Sequence, residues 1–475
     1  MTTPLLGPPP IPVSRPPAGL TGALDPVAWA AATFAGCDLG DARRTRRLVT
    51  VAARLAADPS GSLPAALAAP AMLKAGYRLL HTDAVTVDAL TRPHRDQTRA
   101  VAGAPGVTLL LQDSTELDYT PHPSLDGLGP IGDGRGRGYR LQSVLAVRPD
   151  DGGVLGLAAL TPFLRHPQAD RGSSAAHRRH RARESDIWPQ TVAEVGPPPP
   201  GATWVHVGDR GADVFTCFAM CRTMATELVV RVAQDRCATA PDGTATHVLA
   251  AARALPPVAH RSQPVAARRG EPARTARVAV AWVALTVQPP ADVRGQAPLP
   301  AWVVRVWEPA PPPGVTPLDW VQVTTVPVHS VVAAWERVGW YERRWLVEEY
   351  HRCLKTGCRV EARQLQDRAA LWRLLGIAAP TAVRLLHLRH VARSDPEVAA
   401  TALVPADVIA VVAAKTGQPA AGMTARTCWR LIARLGGHQG RRGDGDPGWE
   451  TLWKGWRVVS LLVEGLHLAA SLPDP

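Results

Sequence analysis

The sequence predicts an α/β protein: a mixed β-sheet with helices on its faces and a β-rich insertion, flanked by helical regions at both ends of the chain. Three observations carry that reading. Two short apolar runs, Val107–Asp113 and Thr203–Asp209, each end in a carboxylate, the pattern of a buried strand. Between them, strand-like Tyr139–Val147 and Val154–Thr161 are joined by Pro149-Asp150-Asp151-Gly152-Gly153, a hairpin signal. The ends of the chain are instead rich in Ala and Leu and read as helical.

At 475 residues the chain is long enough for two to three domains. Hydrophobic residues make up 46%, and no apolar run approaches bilayer-spanning length, so no membrane partner is expected. Met1–Leu20 is Pro-rich and lacks the basic-then-apolar order of a secretory signal, which predicts a disordered tail over residues 1–24 and a cytoplasmic protein. The net charge of +12 favours a polyanionic partner, since neutralised phosphates release condensed counterions. A genome of high GC content, which inflates Arg codons, explains the same charge. The seven cysteines include no CxxC pair. Neither Cys217 with Cys221 nor Cys353 with Cys358 has zinc-site spacing, so reduced, partly buried thiols are expected.

Residues 25–104 form the first helical region. Asp41 is placed to cap a helix opening Ala42-Arg43-Arg44-Thr45-Arg46-Arg47, and a second helix runs near Ala71–Leu80 through Tyr77 and Arg78. Its basic face, Arg43 and Arg44 included, suits a DNA backbone; a solvated charged face is the plainer reading. Residues 105–393 hold the sheet. After the hairpin come a helix at Ile187–Val195, the strand ending at Asp209, a helix over Ala212–Met224 and a strand at Leu228–Val232. A β-rich insertion over about 236–325 includes strands at Val278–Val287, Ala301–Val306 and Trp320–Thr325. A long helix then starts near Ser330 and carries Tyr341 through Lys355. Residues 394–475 are again helical, with Gly436-Gly437 in a loop. Trp449, Trp453 and Trp456 share one helical face, for packing in a core or between copies, or for stacking on bases.

Two strands ending in Asp113 and Asp209, with a helix bearing Glu348, can gather three carboxylates at one end of a sheet. Hard divalent cations take such oxygen ligands, and a pair of them serves phosphoryl transfer. Carboxylates at strand ends are also common turn caps. The helix adds a pattern: Tyr341, Arg344, Glu348 and Lys355 step by three, four and seven, along one stripe. Those side chains make a poor apolar face and a good phosphodiester contact, with Arg344 and Lys355 on phosphate oxygens. The competing reading is a surface stripe in which Glu348 bridges Arg344 and Arg352.

The string Trp340-Tyr341-Glu342-Arg343-Arg344-Trp345-Leu346-Val347-Glu348-Glu349-Tyr350-His351-Arg352-Cys353-Leu354-Lys355-Thr356-Gly357 resembles the YREK signature of insertion-sequence 4 family transposases. Gly208-Asp209-Arg210-Gly211-Ala212-Asp213 resembles the segment with the second catalytic Asp, and Leu111-Gln112-Asp113-Ser114-Thr115 the segment with the first. Leu39-Gly40-Asp41-Ala42-Arg43-Arg44, Gly76-Tyr77-Arg78 and Leu435-Gly436-Gly437 extend the likeness over nearly the whole chain.

The resemblance implies a ribonuclease H-like catalytic domain, an N-terminal domain that recognises transposon ends and a C-terminal dimerisation region. It implies a bacterial, nucleoid-associated enzyme that binds inverted-repeat and target DNA and is a homodimer in the synaptic complex. Asp113, Asp209 and Glu348 would hold two Mg2+, with Mn2+ as a substitute. Excision would proceed by nicking, a DNA hairpin, its reopening and strand transfer, all in-line phosphoryl transfers. By the same resemblance Tyr341, Arg344 and Lys355 would meet DNA near the scissile phosphate and hairpin, and Arg210 and Arg231 would face phosphate; Arg352, on the same basic helix, is a further candidate for DNA contact. Trp320 would hold a flipped base, where packing in the strand core is the alternative. Two positions depart from the family pattern: Gly211 stands for a usual Glu, and Gln142 for an expected His. Asp213 reads as a helix cap. The competing functions are a catalytically inactive DNA-binding descendant or inhibitor, a nuclease without strand transfer, and an interaction protein.

Overall fold

The computed structural model describes residues 26–165, 183–265, 272–293, 295–394, 396–441 and 445–472. The tail expected over residues 1–24 lies outside them. The chain divides into two compact units. One runs to Pro93 and adds Arg352–Arg363 and the chain from Ala369; the other is His94–His351 with Gln364–Arg368.

In the first unit, α1 (Pro26–Phe34), α2 (Ala42–Ala57), α3 (Leu63–Leu67) and α4 (Pro70–Leu80) lead into α5 (Val87–Ala102). Asp41 caps α2 as expected, its carboxylate accepting the Arg43 N–H at 2.8 Å. Leu48, Val51, Ala52 and Leu55 recur at helical spacing and form the buried face of α2. Gly76 lets α4 meet α3 closely, since a Cβ there would stand 2.6 Å from Leu67 Cδ1.

The second unit is built on β1 (Gly106–Asp118), β2 (Gly129–Ile131), β3 (Gly136–Val147), β4 (Val154–Phe163), α6 (Ile187–Val195), β5 (Ala202–Gly208), α7 (Phe215–Thr223) and β6 (Glu227–Arg231). The region expected as an insertion supplies β7 (Cys237–Thr239), β8 (Ala245–His247), α8 (Val248–Ala254), β9 (Ala259–Val265), β10 (Arg274–Val287), β11 (Leu299–Trp307) and β12 (Asp319–Thr324). These strands form one sheet of order β2-β3-β1-β5-β6-β12-β11-β10-β7-β8, with β4 on β3 and β9 on β10. Among the named strands, parallel pairing joins β5 to its neighbours β1 and β6 and the other pairs are antiparallel, so the sheet is mixed. The insertion extends the central sheet, because β12 pairs with β6 and sets Gln322 opposite Arg231.

Leu109, Leu110 and Leu111 are at most 1% exposed, which explains why β1 reads as an unbroken apolar run: both faces are covered. One face carries Leu110, Val144 and Trp204, and a neighbouring core packs Trp188, Phe215, Phe218 and Val230 from α6, α7 and β6. On the far part of the sheet, Val304 and Val306 pack against Ala334 and Val338 of α9 (Val331–Glu342). The strand β1 also runs past Asp113 to Asp118, where the sequence predicts an end. Its antiparallel partner β3 continues to Asp118 opposite Gly138, while the parallel partner β5 stops at Leu111 opposite Val207.

The single helix expected from Ser330 to Lys355 is instead broken. Ser330 caps α9, which ends at Glu342; α10 (Trp345–Arg352) follows, and a wide π turn spans Cys353–Gly357. Break and turn each change the helical phase, so Tyr341, Arg344, Glu348 and Lys355 do not form one continuous stripe.

The chain then forms α11 (Arg368–Ser394), α12 (Ala406–Thr416), α13 (Ala425–Leu435) and α14 (Trp449–Ser471). Within α11, Arg368–His387 is long and apolar enough to cross a membrane, which corrects the expectation that no run is; 78% of its most apolar stretch is buried inside the protein, as in a core helix. A Cβ on Gly455 would lie 1.7 Å from the Ile432 carbonyl oxygen, and one on Gly436 would lie 1.9 Å from that of Thr451, so α13 and α14 touch backbone to backbone. Trp453 is buried over Gly357 and Trp456 lies beside Trp429, which assigns both to packing. All seven cysteines are free thiols and only Cys237 is exposed.

Candidate active site

The register of the parallel strands builds the site. Leu111 stands opposite Val207, so two residues further along, Asp113 within β1 and Asp209 just past the end of β5 both lie beyond the last row that joins the two strands. Asp209 follows the last residue of β5 and caps a short 3-10 turn, one carboxylate oxygen accepting the Gly211 N–H at 2.8 Å. The cap reading of this residue therefore holds, and its second oxygen is left for other work. Asp113 Oδ1 accepts the Ser114 N–H at 2.9 Å.

Arg344 stands in the break between α9 and α10, and its position follows from that break. Its guanidinium reaches Asp113 Oδ2 at 3.4 Å, donates to Glu348 Oε1, and lies 5.9 Å from the centre of the Tyr341 ring. Arg344 therefore ties the first carboxylate to the third. Burial pushes the Asp113 carboxyl up to about 7, against the pull of Arg344, and the nearby charges of Asp209 and Glu348 push the same way. Asp113 is close enough to both other carboxylates to feel their charge.

The other predicted residues fall in several places. Tyr341 is buried, Arg210 is exposed beside Asp209, and Arg231 is half-buried on β6. Trp320 is half-buried, packed against the core that holds Val304 and Val306, as the strand-core reading has it. Arg352 and Lys355 belong to the other unit, where Lys355 pairs with Glu361 at 3.5 Å. Arg43 is exposed and paired with Asp41, while Arg44 donates to the Leu39 carbonyl. Asp213 is not a helix cap: it is buried, accepting the N–H groups of Ala233 and Gln234 and the Arg236 guanidinium. It ties the start of α7 to the loop after β6.

The structure adds further candidates. Trp345, next to Arg344 in the chain, has 46% of its surface exposed. On α4, Lys74, Tyr77, Arg78 and His81 line an open groove of about 500 Å3. Helical spacing of the cations carried that signal in the sequence.

Among the described residues no three His, Cys, Asp or Glu side chains already form a metal cage. The donor set still fits a hard cation. All three groups are carboxylates, Asp113 is held at a raised value that a cation would relieve, and Mg2+ needs only one or two carboxylates beside phosphate and water oxygens. Glu348, half exposed, must turn from Arg344 to join.

Residues 26–85 match the family model of the transposase DNA-binding domain, and residues 380–474 match that of the Tn5 transposase dimerisation domain. A segment at each end of the chain is therefore similar to a transposase domain. The matches support a transposase of the Tn5 type that binds DNA and forms a homodimer. The α4 groove lies in the first matched segment, and the carboxylates lie between the two. The second segment contains α14, whose Leu461, Leu466 and Leu468 are 48–62% exposed, an apolar surface suited to pairing with another copy.

Proposed function

We propose that this transposase is of the DDE type, with a ribonuclease H-like core that excises and inserts its element by in-line phosphoryl transfer through a DNA hairpin. The observation that carries the reading is the register of β1 and β5, which brings Asp113 and Asp209 each two residues past the last paired row, while Arg344 joins Asp113 to Glu348. Matches to a DNA-binding and a dimerisation domain on either side support it.

Asp113, Asp209 and Glu348 would hold two Mg2+, or Mn2+ in their place. When bound, the ions supply activation of the attacking oxygen and stabilisation of the leaving oxygen. The chain's own groups do the rest. Arg344 meets the scissile phosphate and in doing so exchanges a carboxylate for a phosphate partner, which releases Glu348 to the cation. Tyr341, buried beneath that guanidinium, fixes where it points. Arg210 extends from the end of β5 towards the flanking backbone, and Arg231, Arg352 and Lys355 add phosphate contacts. Trp320 presents its uncovered edge to a base. The N-terminal helices, with Arg43, Arg44 and the α4 groove, bind the inverted repeat; the C-terminal helices join two copies for synapsis. Such an enzyme works in the cytoplasm, on the nucleoid.

The test supplies the protein with labelled DNA carrying the element's inverted repeats and Mg2+. Hairpin-ended products are expected, and none from Asp113→Ala, Asp209→Ala or Glu348→Ala. Tight end binding without cleavage by the unmutated chain would refute the enzyme and leave the catalytically inactive descendant. Nicked products without hairpins or strand transfer would leave the simple nuclease.

A further inference from the structure

Successive residues of a strand face opposite sides of the sheet, and β1 uses both sides at its end. Asp113 shares a face with Ser143, its partner on β3, whose hydroxyl meets His351 of α10 at 3.1 Å. Gln112 and Ser114 face the other way, with Gln142 opposite Ser114. There they form a chain. Ser114 Oγ donates to Gln142 Oε1, Gln142 Nε2 donates to Gln112 Oε1 at 3.5 Å, and Gln112 Nε2 meets His206 Nδ1 on β5. Gln112, Gln142 and His206 are 2%, 0% and 3% exposed. Burial keeps the imidazole neutral, so Nδ1 accepts the amide proton.

The location gives this chain a task. The backbone ladder between β1 and β5 ends at Leu111 opposite Val207, and Gln112 is the first residue beyond it. Past that row nothing in the ladder holds β1 to β5, yet Asp113 and Asp209 must keep a fixed separation. The side chain of Gln112 spans the gap, reaching β5 through His206 and β3 through Gln142. Buried amides and an imidazole are costly to leave unpaired, which favours the Gln112–His206 and Gln112–Gln142 bonds, although His206 Nε2 on the far side of the ring is buried without a partner. We infer that His206, Gln112, Gln142 and Ser114 form a strap that sets the spacing of Asp113 and Asp209, so that Gln112 and His206 are positioning residues for the cation ligands. The inference rests on the proposed metal site, and its test separates the two.

Mn2+ is titrated into the EDTA-treated full chain and free Mn2+ is read by electron paramagnetic resonance. The unmutated chain is expected to bind, with binding lost in Asp113→Asn and Asp209→Asn. Gln112→Leu and His206→Leu should each weaken Mn2+ binding about tenfold, the range of ligand-orienting partners. The double variant should be no weaker than either single one, because both remove one connection. His206→Gln, which keeps an acceptor, should bind close to normally, and amide exchange over residues 112–115 should rise in the Leu variants alone. Normal Mn2+ binding by Gln112→Leu, or losses that add in the double variant, would overturn the strap while leaving the site. No binding by the unmutated chain, or binding unaffected by the Asp variants, would overturn both. If Gln112→Leu fails to fold, the contrast between His206→Leu and His206→Gln decides alone: equal affinities refute the strap.

Discussion

Replacing Asp113 with Asn should make the metal-free protein more stable at neutral pH, although it removes a central carboxylate. In the folded chain the Asp113 carboxyl titrates at about 7, and in the unfolded chain at its ordinary 3.8. The folded state therefore binds the proton more tightly than the unfolded state does. Below pH 4 both states are protonated and the group costs nothing. As pH rises from about 4 to 7, only the unfolded state gives up its proton freely, so stability falls, and above about 7 the loss is complete. At 1.36 kcal/mol per pH decade the full loss is about 4 kcal/mol, most of it between pH 5 and 8. Asn cannot ionise and escapes it. At roughly 2 °C per kcal/mol for a unit of this size, Asp113→Asn should melt about 4–8 °C above the unmutated protein at pH 8 in EDTA, and the gap should narrow by more than half at pH 5. Scanning calorimetry across that range is the assay. Added Mg2+ should close the gap at pH 8 by stabilising only the unmutated chain. A gap that does not change between pH 5 and 8 would show that Asp113 is not held in a buried, like-charged setting.

Two other outcomes follow from the helical ends. Lys74 and Arg78 are exposed along the α4 groove, so the Lys74→Ala/Arg78→Ala variant should bind inverted-repeat DNA with a log–log salt slope shallower by about 2, measured by anisotropy; an unchanged slope would remove the groove from the DNA contact. Gly455→Ala sets a methyl 1.7 Å from the Ile432 carbonyl oxygen, and the resulting separation of α13 and α14 should cost at least about 3 kcal/mol, seen as a lower melting temperature and loss of dimer in sedimentation.

How much of this was legible in the sequence depends on whether the signal was local. The run Leu109–Leu111 with a following carboxylate marked β1, and Ile187–Val195 was found to the residue, because burial and periodicity are written along the chain. The length of β1 was not, since it is set by β3, a partner that outlasts β5. Nor was the break at Arg343–Arg344. No Pro or Gly marks it, and the residues on either side are good helix formers. The stripe read from Tyr341 to Lys355 thus stands on a different scaffold: Arg344 keeps Tyr341 and Glu348 as neighbours, while Lys355 lies in the other unit. The break lets Arg344 reach Asp113, 231 positions away in the sequence. Asp213 misled for a related reason: a carboxylate before a helix looks like a cap, and its acceptors were claimed by Ala233, Gln234 and Arg236, which no local pattern connects to it.

The two departures from the family pattern have different physical standing. At Gly211 the surroundings leave little room, since a Cβ would lie 3.0 Å from Asp209 Oδ1 and 3.1 Å from the Trp188 ring. A longer side chain here would press on the very carboxylate that the Gly211 N–H holds, so glycine fits the turn as this chain builds it. Gln142 is different, because its identity fixes the direction of a hydrogen-bond chain. Its amide both accepts from Ser114 and donates to Gln112, and Gln112 in turn needs an acceptor, which His206 supplies. An apolar replacement at any one of the three would leave a buried donor or acceptor unpaired at the row where the β1–β5 ladder stops. Gln112, Gln142 and His206 are therefore one unit of the sequence, spread over 94 positions, and their partners explain Gln142 better than the residue it replaces does.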